Sequence, residues 1–231
     1  MRRILFITLM CFLFMVELKS QSITGLTGLV SIPTAEINGD GVLTLGVSYY
    51  DKDYLNLYRQ NYDGLAVYAG FSFLPFIEVG MRFTRLLNFN EDQALGDRMP
   101  SVRIKLINEG KVLPSVLFGA HDFIRTSESK TSYNTSTYFV LTKNFGIGNN
   151  VNVKISSGYG FRLLNSSAYQ FEKFFYGTSV SLFNTIELMG EYDSKQFNTG
   201  ARLSLFDFFS VTVGLMNNKA VSATSSVMVR L

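Results

Sequence analysis

The side chains that could do chemistry in this chain are ionisable residues placed at even spacing. Glu187 and Glu191 share one face of an alternating segment, and Arg202 follows on the next segment. If Asp193 pairs with Asn198, Glu191 faces Gly200 and Met189 faces Arg202. Both glutamates then lie diagonal to the guanidinium, a separation long side chains can close. Three chemistries fit such a set: a charge ladder that satisfies an interior, a polar ring that selects a solute, or paired carboxylates for glycoside hydrolysis. The last needs the two groups ~5–9.5 Å apart across a sugar, and even spacing alone does not supply that geometry. His121 is the single histidine, expected inside, next to Asp122 in sequence but on the opposite face. A barrel lipase would require it to touch a serine and an orienting group, and no nucleophile motif accompanies it, so no catalytic residue is assigned and the chain is expected not to be an enzyme. One histidine and one cysteine leave only scattered carboxylates, so neither a metal site nor a cofactor is expected.

These residues sit on segments with a period of two. In Gly64–Phe73, Leu65, Val67, Ala69, Phe71 and Phe73 alternate with Ala66, Tyr68, Gly70 and Ser72. In Phe76–Arg85, Ile77, Val79, Met81 and Phe83 alternate with Glu78, Gly80, Arg82 and Thr84. A strand sends successive side chains to opposite sheet faces. Segments of this kind recur to the end of the chain and make about twelve strands, many of a length that crosses a bilayer when tilted. The fold expected is all-β: a transmembrane antiparallel up-and-down barrel. Leu43, Leu45, Val47 and Tyr49, then Val102, Ile104 and Leu106, should face lipid, with Val151, Val153 and Ile155 and their counterparts further on. The opposite face gathers Glu78, Arg82, Arg103, Lys105, His121, Lys154, Glu187, Glu191, Arg202 and Arg230, the candidate lumen-lining residues. An Arg or Lys on the lipid face at mid-depth would cost ~2–4 kcal/mol, so this sorting is a constraint. Glycines within the strands, such as Gly46, Gly119, Gly158, Gly200 and Gly214, fall on the inward face, where bulky neighbours need room.

The connections alternate in length. Asp51–Asp63, Asn88–Arg98, Ile124–Tyr133 and Leu164–Phe171 are long and polar, whereas Leu74-Pro75, Asn108–Lys111, Phe183-Asn184 and Phe206-Asp207 are short. Asn144–Asn150 is a longer exception among the short ones. Short periplasmic turns and long extracellular loops produce this asymmetry, which a soluble sandwich has no reason to show. Both termini then fall at the periplasmic end.

Residues 1–20 read as a secretory signal: Arg2 and Arg3, the apolar run Ile4–Val16, and Ser20 before the cut. That run is short of the ~20 residues a spanning helix needs. Cys11 lies within it, so the remaining residues 21–231, read as one barrel domain, hold no disulfide. A net charge of +3, scattered along the chain, gives no basis for nucleic-acid binding.

Gly25-Leu26-Thr27-Gly28-Leu29-Val30-Ser31-Ile32-Pro33-Thr34-Ala35 resembles the opening motif of the YjbH-like family of outer-membrane proteins associated with exopolysaccharide production. Shorter matches follow in order: Arg103–Leu106 with Glu109-Gly110-Lys111, Gly119–Phe123, Tyr138–Lys143, Gly158-Tyr159-Gly160 and Glu191-Tyr192-Asp193 with Asn198 and Gly200. The resemblance implies a cell outer-membrane location and a role in exopolysaccharide secretion or surface assembly, as conduit or structural component. Its partners would be outer-membrane lipid, the barrel assembly machinery, a polysaccharide and periplasmic proteins of an exopolysaccharide system. It implies no catalytic residue. A general porin, an adhesion barrel and a barrel enzyme acting on lipid or glycan are the alternatives.

Overall fold

The computed structural model describes residues 21–55, 62–87, 95–123, 135–164, 166 and 169–231. The expected signal at 1–20 lies outside them, as do 124–133 and parts of the other three long connections. Antiparallel strands close into a barrel in simple sequence order, the last pairing with the first. They are β1 (Val42–Tyr50), β2 (Gly64–Phe73), β3 (Ile77–Leu86), β4 (Leu95–Ile107), β5 (Ser115–His121) and β6 (Ser136–Ile147). β7 (Val151–Phe161), β8 (Lys173–Leu182), β9 (Ile186–Tyr192), β10 (Phe197–Leu205), β11 (Phe209–Met216) and β12 (Ala220–Arg230) complete the ring. A single helical turn, α1 (Lys52–Leu55), follows β1. The twelve-stranded up-and-down barrel expected from the alternation is therefore the fold.

The alternation also gives the facing. Along β2 every even-numbered residue is buried, while Leu65, Val67, Ala69 and Phe73 are exposed. Leu45, Phe83, Leu106, Leu141, Ile155, Leu188 and Val213 continue this exposed apolar surface around the barrel. A closed barrel has no edge and pairs its backbone groups between strands, which is what a lipid environment demands. At one end, two-residue turns place Phe183 and Asn184, Phe206 and Asp207, each pair at positive φ. Positive φ at both central residues is the primed geometry that matches strand twist, and Asn and Asp tolerate it. The exposed rings of Phe76, Phe183, Phe206 and Phe208 belong to these turns and their edges, where barrels carry an aromatic girdle.

Four expectations are corrected. β6 continues to Ile147, which pairs with Val151, so the connection read as Asn144–Asn150 is a short turn around Gly148, whose φ is +63°. The exception to the length asymmetry disappears. Secondly, Asn198 pairs with Glu191 and Arg202 with Glu187, a shift of two residues from the register assumed above. The cause is local: Asp193 Oδ1 accepts from the amides of Lys195 and Gln196, so Asp193 closes the turn and does not join the ladder. Thirdly, Asp122 is not on the lipid face opposite His121; β5 ends at His121, and Asp122 adopts φ 51° and is buried. Lastly, the connection read as Asn108–Lys111 runs on through residue 114, and β5 starts at Ser115.

Candidate functional site

The interior of the barrel is filled by the chain itself. Every residue from Gln21 to Asn38 is buried, and this segment forms a plug of tight turns with two isolated bridges, Gln21 to Thr27 and Gly28 to Pro33. A segment without regular structure leaves backbone groups unpaired, and burying them unpaired is costly. The wall supplies the missing partners. Arg202 donates from Nη2 to the carbonyls of Gln21, Gly28 and Leu29 at 3.0, 2.8 and 2.8 Å. Its Nη1 donates to Glu187 at 2.5 Å and its Nε to Thr212 at 2.8 Å. Glu191 accepts from the consecutive amides of Val30, Ser31 and Ile32 at 2.9, 2.8 and 3.3 Å, and from the Ser31 hydroxyl. Arg103 bonds Glu78 and the carbonyls of Thr34 and Glu36, while the Thr27 hydroxyl donates to Glu78 at 3.0 Å. From β1, Tyr50 and Ser48 both donate to the Ile23 carbonyl, at 2.6 and 2.9 Å.

Buried charges need a partner and hydrogen bonds: Arg103 with Glu78 and Arg202 with Glu187 have both, and Glu191 is held by hydrogen bonds from amides, the Ser31 hydroxyl and Asn198. The diagonal arrangement expected for Glu187, Glu191 and Arg202 is resolved into two different roles. Glu187 directly opposes and pairs with Arg202, whereas Glu191 holds the plug's amides.

Small residues admit the plug to the wall. A Cβ on Gly200 or Gly214 would approach a Val30 methyl to 2.6 or 2.4 Å, so Val30 seats against β10 and β11 only because both are glycine. The sequence motif from Gly25 to Ala35 is thus the part of the chain that packs into this wall.

The ten candidate lumen residues separate by depth. Glu78, Arg82, Arg103, His121, Glu191 and Arg202 are buried; Lys105, Lys154 and Glu187 are half-buried; Arg230 is exposed at the rim. Arg82 lies 5.6 Å from the Tyr50 ring centroid, a cation–π distance. His121 contacts the Ser101 hydroxyl through Nδ1 at 3.3 Å and Tyr138 Oη through Nε2 at 2.8 Å. Its ring also lies in an aromatic group with Tyr138 and Phe171. Ser101 and His121 do meet, but the second ring nitrogen faces the Tyr138 phenol and not a carboxylate.

At the end bearing the short turns the plug does not fill the barrel. A polar cavity of about 190 Å³ opens there, with the turn residues Asn184, Thr185 and Asp207 at its edge. Lys154 spans its wall, 2.6 Å from Glu36 of the plug and 3.9 Å from Glu187.

With this geometry in view, comparison with known proteins adds the family. A model of the YjbH family, described as exopolysaccharide biosynthesis protein YbjH, matches residues 20–207. The chain belongs to the YjbH family. The match takes in the plug and ten of the wall strands together, β1 through β10. No curated protein matches the sequence. Among solved structures, an outer membrane channel from Pseudomonas putida F1 is similar at a TM-score of 0.45 and 11% identity, covering 87% of this chain and 100% of that one. The outer membrane protein Omp33 from Acinetobacter baumannii is similar at 0.45 and 10%, covering 83% and 98%. The even strand number, closure and outward apolar belt make the YjbH-family chain an outer-membrane β-barrel on their own account.

Proposed function

We propose that this YjbH-family barrel serves exopolysaccharide secretion or surface assembly, as a plugged structural component or a conduit that opens only when the plug moves. The observation that carries the reading is that the family pattern spans both the plug and the wall that holds it. The luminal charges satisfy the chain's own backbone, which argues against a porin with a standing aqueous channel. The barrel has no catalytic role in this reading: His121 is enclosed by Ser101, Tyr138 and Phe171, and the Glu187 carboxylate is held by Arg202. Its partners are a polysaccharide, periplasmic proteins of the same exopolysaccharide system and the barrel assembly machinery.

The test is deletion of the gene with measurement of cell-surface, released and periplasmic polysaccharide, complemented by the wild-type gene. Loss or misplacement of surface polysaccharide is expected, and unchanged amounts in all three fractions would overturn the role. Intact protein in a planar bilayer is expected to show no steady open-channel current. A constant large conductance would instead favour the porin.

A further inference from the structure

We infer that the cavity at the short-turn mouth of the barrel binds one neutral, hydroxyl-rich sugar unit. The inference rests on the polysaccharide role proposed above and names the site and the chemical class it would take. Its wall is built in register across three strands: Asn152 on β7 pairs with Ser181 on β8, which pairs with Glu187 on β9. Asn144 and Lys154, themselves a cross-strand pair, lie on the neighbouring row, and Glu36 comes from the plug.

Two features select the ligand. The Oδ1 atoms of Asn144 and Asn152 are buried and have no hydrogen-bond donor among the described residues. The amide orientation of Asn144 is set by its own bonds, since Nδ2 donates to Glu109 at 2.8 Å and to Glu36 at 3.3 Å, so its oxygen is the acceptor left over. Both oxygens are closed to solvent here, so a ligand meets them when the side chains turn toward the cavity, and acceptors without donors then call for a partner that brings O–H groups. The second feature is charge. Glu36, Glu187 and Asp207 line the cavity with the ammonium of Lys154, which Glu36 and Glu187 engage; with the Arg202 guanidinium paired to Glu187 also counted, the balance is one negative charge. The ring hydroxyls of a uronate could serve the asparagines as well, but its carboxylate would meet net negative charge, and a phosphate would meet the same charge, so both are disfavoured. A neutral pyranose offers several hydroxyl donors and carries no charge to repel.

The size agrees. At ~30 Å³ per water, the cavity holds a handful of waters, which suits one ring and not a length of polymer. By the usual polarity of such barrels, short turns face the periplasm. The site would therefore meet a glycan arriving from inside the cell.

The experiment uses full-length purified protein in a detergent without a sugar headgroup. Methyl hexosides and a neutral hexose disaccharide are titrated by saturation-transfer NMR, with the corresponding uronates in parallel. Saturable millimolar binding of a neutral sugar is expected, at least tenfold tighter than its uronate. Asn152→Leu is expected to weaken it at least tenfold. Ser181→Val, which changes the wall at the adjacent strand, is the second variant, and heat-shifted gel mobility verifies that both variants are folded barrels. Absence of saturable binding, a uronate bound as tightly, or unchanged binding in both variants would each overturn the site. The two readings fail separately: sugar binding without a polysaccharide phenotype on gene deletion removes the role and keeps the site, and the reverse result removes the site alone.

Discussion

The middle of the lumen and its short-turn mouth are lined by the same kinds of residue and arranged to opposite effect. In the middle, Arg202 and Glu191 spend their hydrogen-bonding capacity on the backbone of residues 21–38 and on wall side chains beside them. At the mouth, Asn144 and Asn152 retain acceptors that nothing among the described residues uses. The contrast shows that inward-facing charge is not itself a sign of a transport path. A polar side chain saturated by the chain's own backbone is part of the fold, and one with capacity left over beside an open cavity is where a ligand can add something.

The strongest way to break this contrast is to remove the plug. A variant lacking residues 21–38 is expected to give stable channel currents in a planar bilayer where the intact barrel gives none. If currents do not change in a variant that still shows heat-shifted mobility, the plug is not the seal.

Arg202→Ala comes next. It takes a guanidinium donor from three plug carbonyls, of which Gln21 keeps only a 3.5 Å bond from Thr212, and leaves Glu187 without its direct partner. Breaking a buried pair in this way costs about 3–5 kcal/mol, readable as an earlier unfolding midpoint in denaturant. Glu191→Gln keeps the volume but removes the charge that faces three amides, and a loss of roughly 1.5–3 kcal/mol is expected. Asn152→Leu should behave differently from both. No internal hydrogen bond depends on its Oδ1, so stability should change by no more than about 0.5 kcal/mol, and a larger loss would place Asn152 with the structural set.

The smallest effect is a pH dependence at the turn between β4 and β5. Burial raises the Glu109 pKa, but hydrogen bonds from the Asn144 side chain and backbone and the nearby Lys143 ammonium outweigh it and hold the group below its ordinary value of 4.5. A lowered folded-state pKa contributes stability above the unfolded value and loses it as pH falls through the folded one. Wild type should therefore exceed Glu109→Gln by a few tenths of a kcal/mol near neutrality, and the two should converge as pH drops below about 4.5. Unfolding midpoints measured at neutral and acid pH test this; a gap that persists in acid would mean that the charge is not what Glu109 contributes.

Most of the wall was legible in the sequence because a two-residue period is a local property, and a bilayer penalises any strand that breaks it. The bounds of β2, the outward face of β1 and β7 and the even strand number all follow from that rule. The β9–β10 register was not legible, since Asp193 could equally extend a strand or cap a turn, and only its bonds to the Lys195 and Gln196 amides show which. The plug was missed more completely. Its glycines, Pro33 and short apolar residues have no helical or strand period, so its sequence says nothing of where it lies; the one available signal was the cluster of strand glycines facing inward, which mark close approach of another backbone.

The sequence by itself determined the barrel, its two solvents and the family motif from Gly25 to Ala35. Only the tertiary structure decided what the inward charges are for. Alternation assigns a side chain to a face, but its partners come from a segment up to 181 residues away in the chain, and no local pattern encodes a contact at that distance.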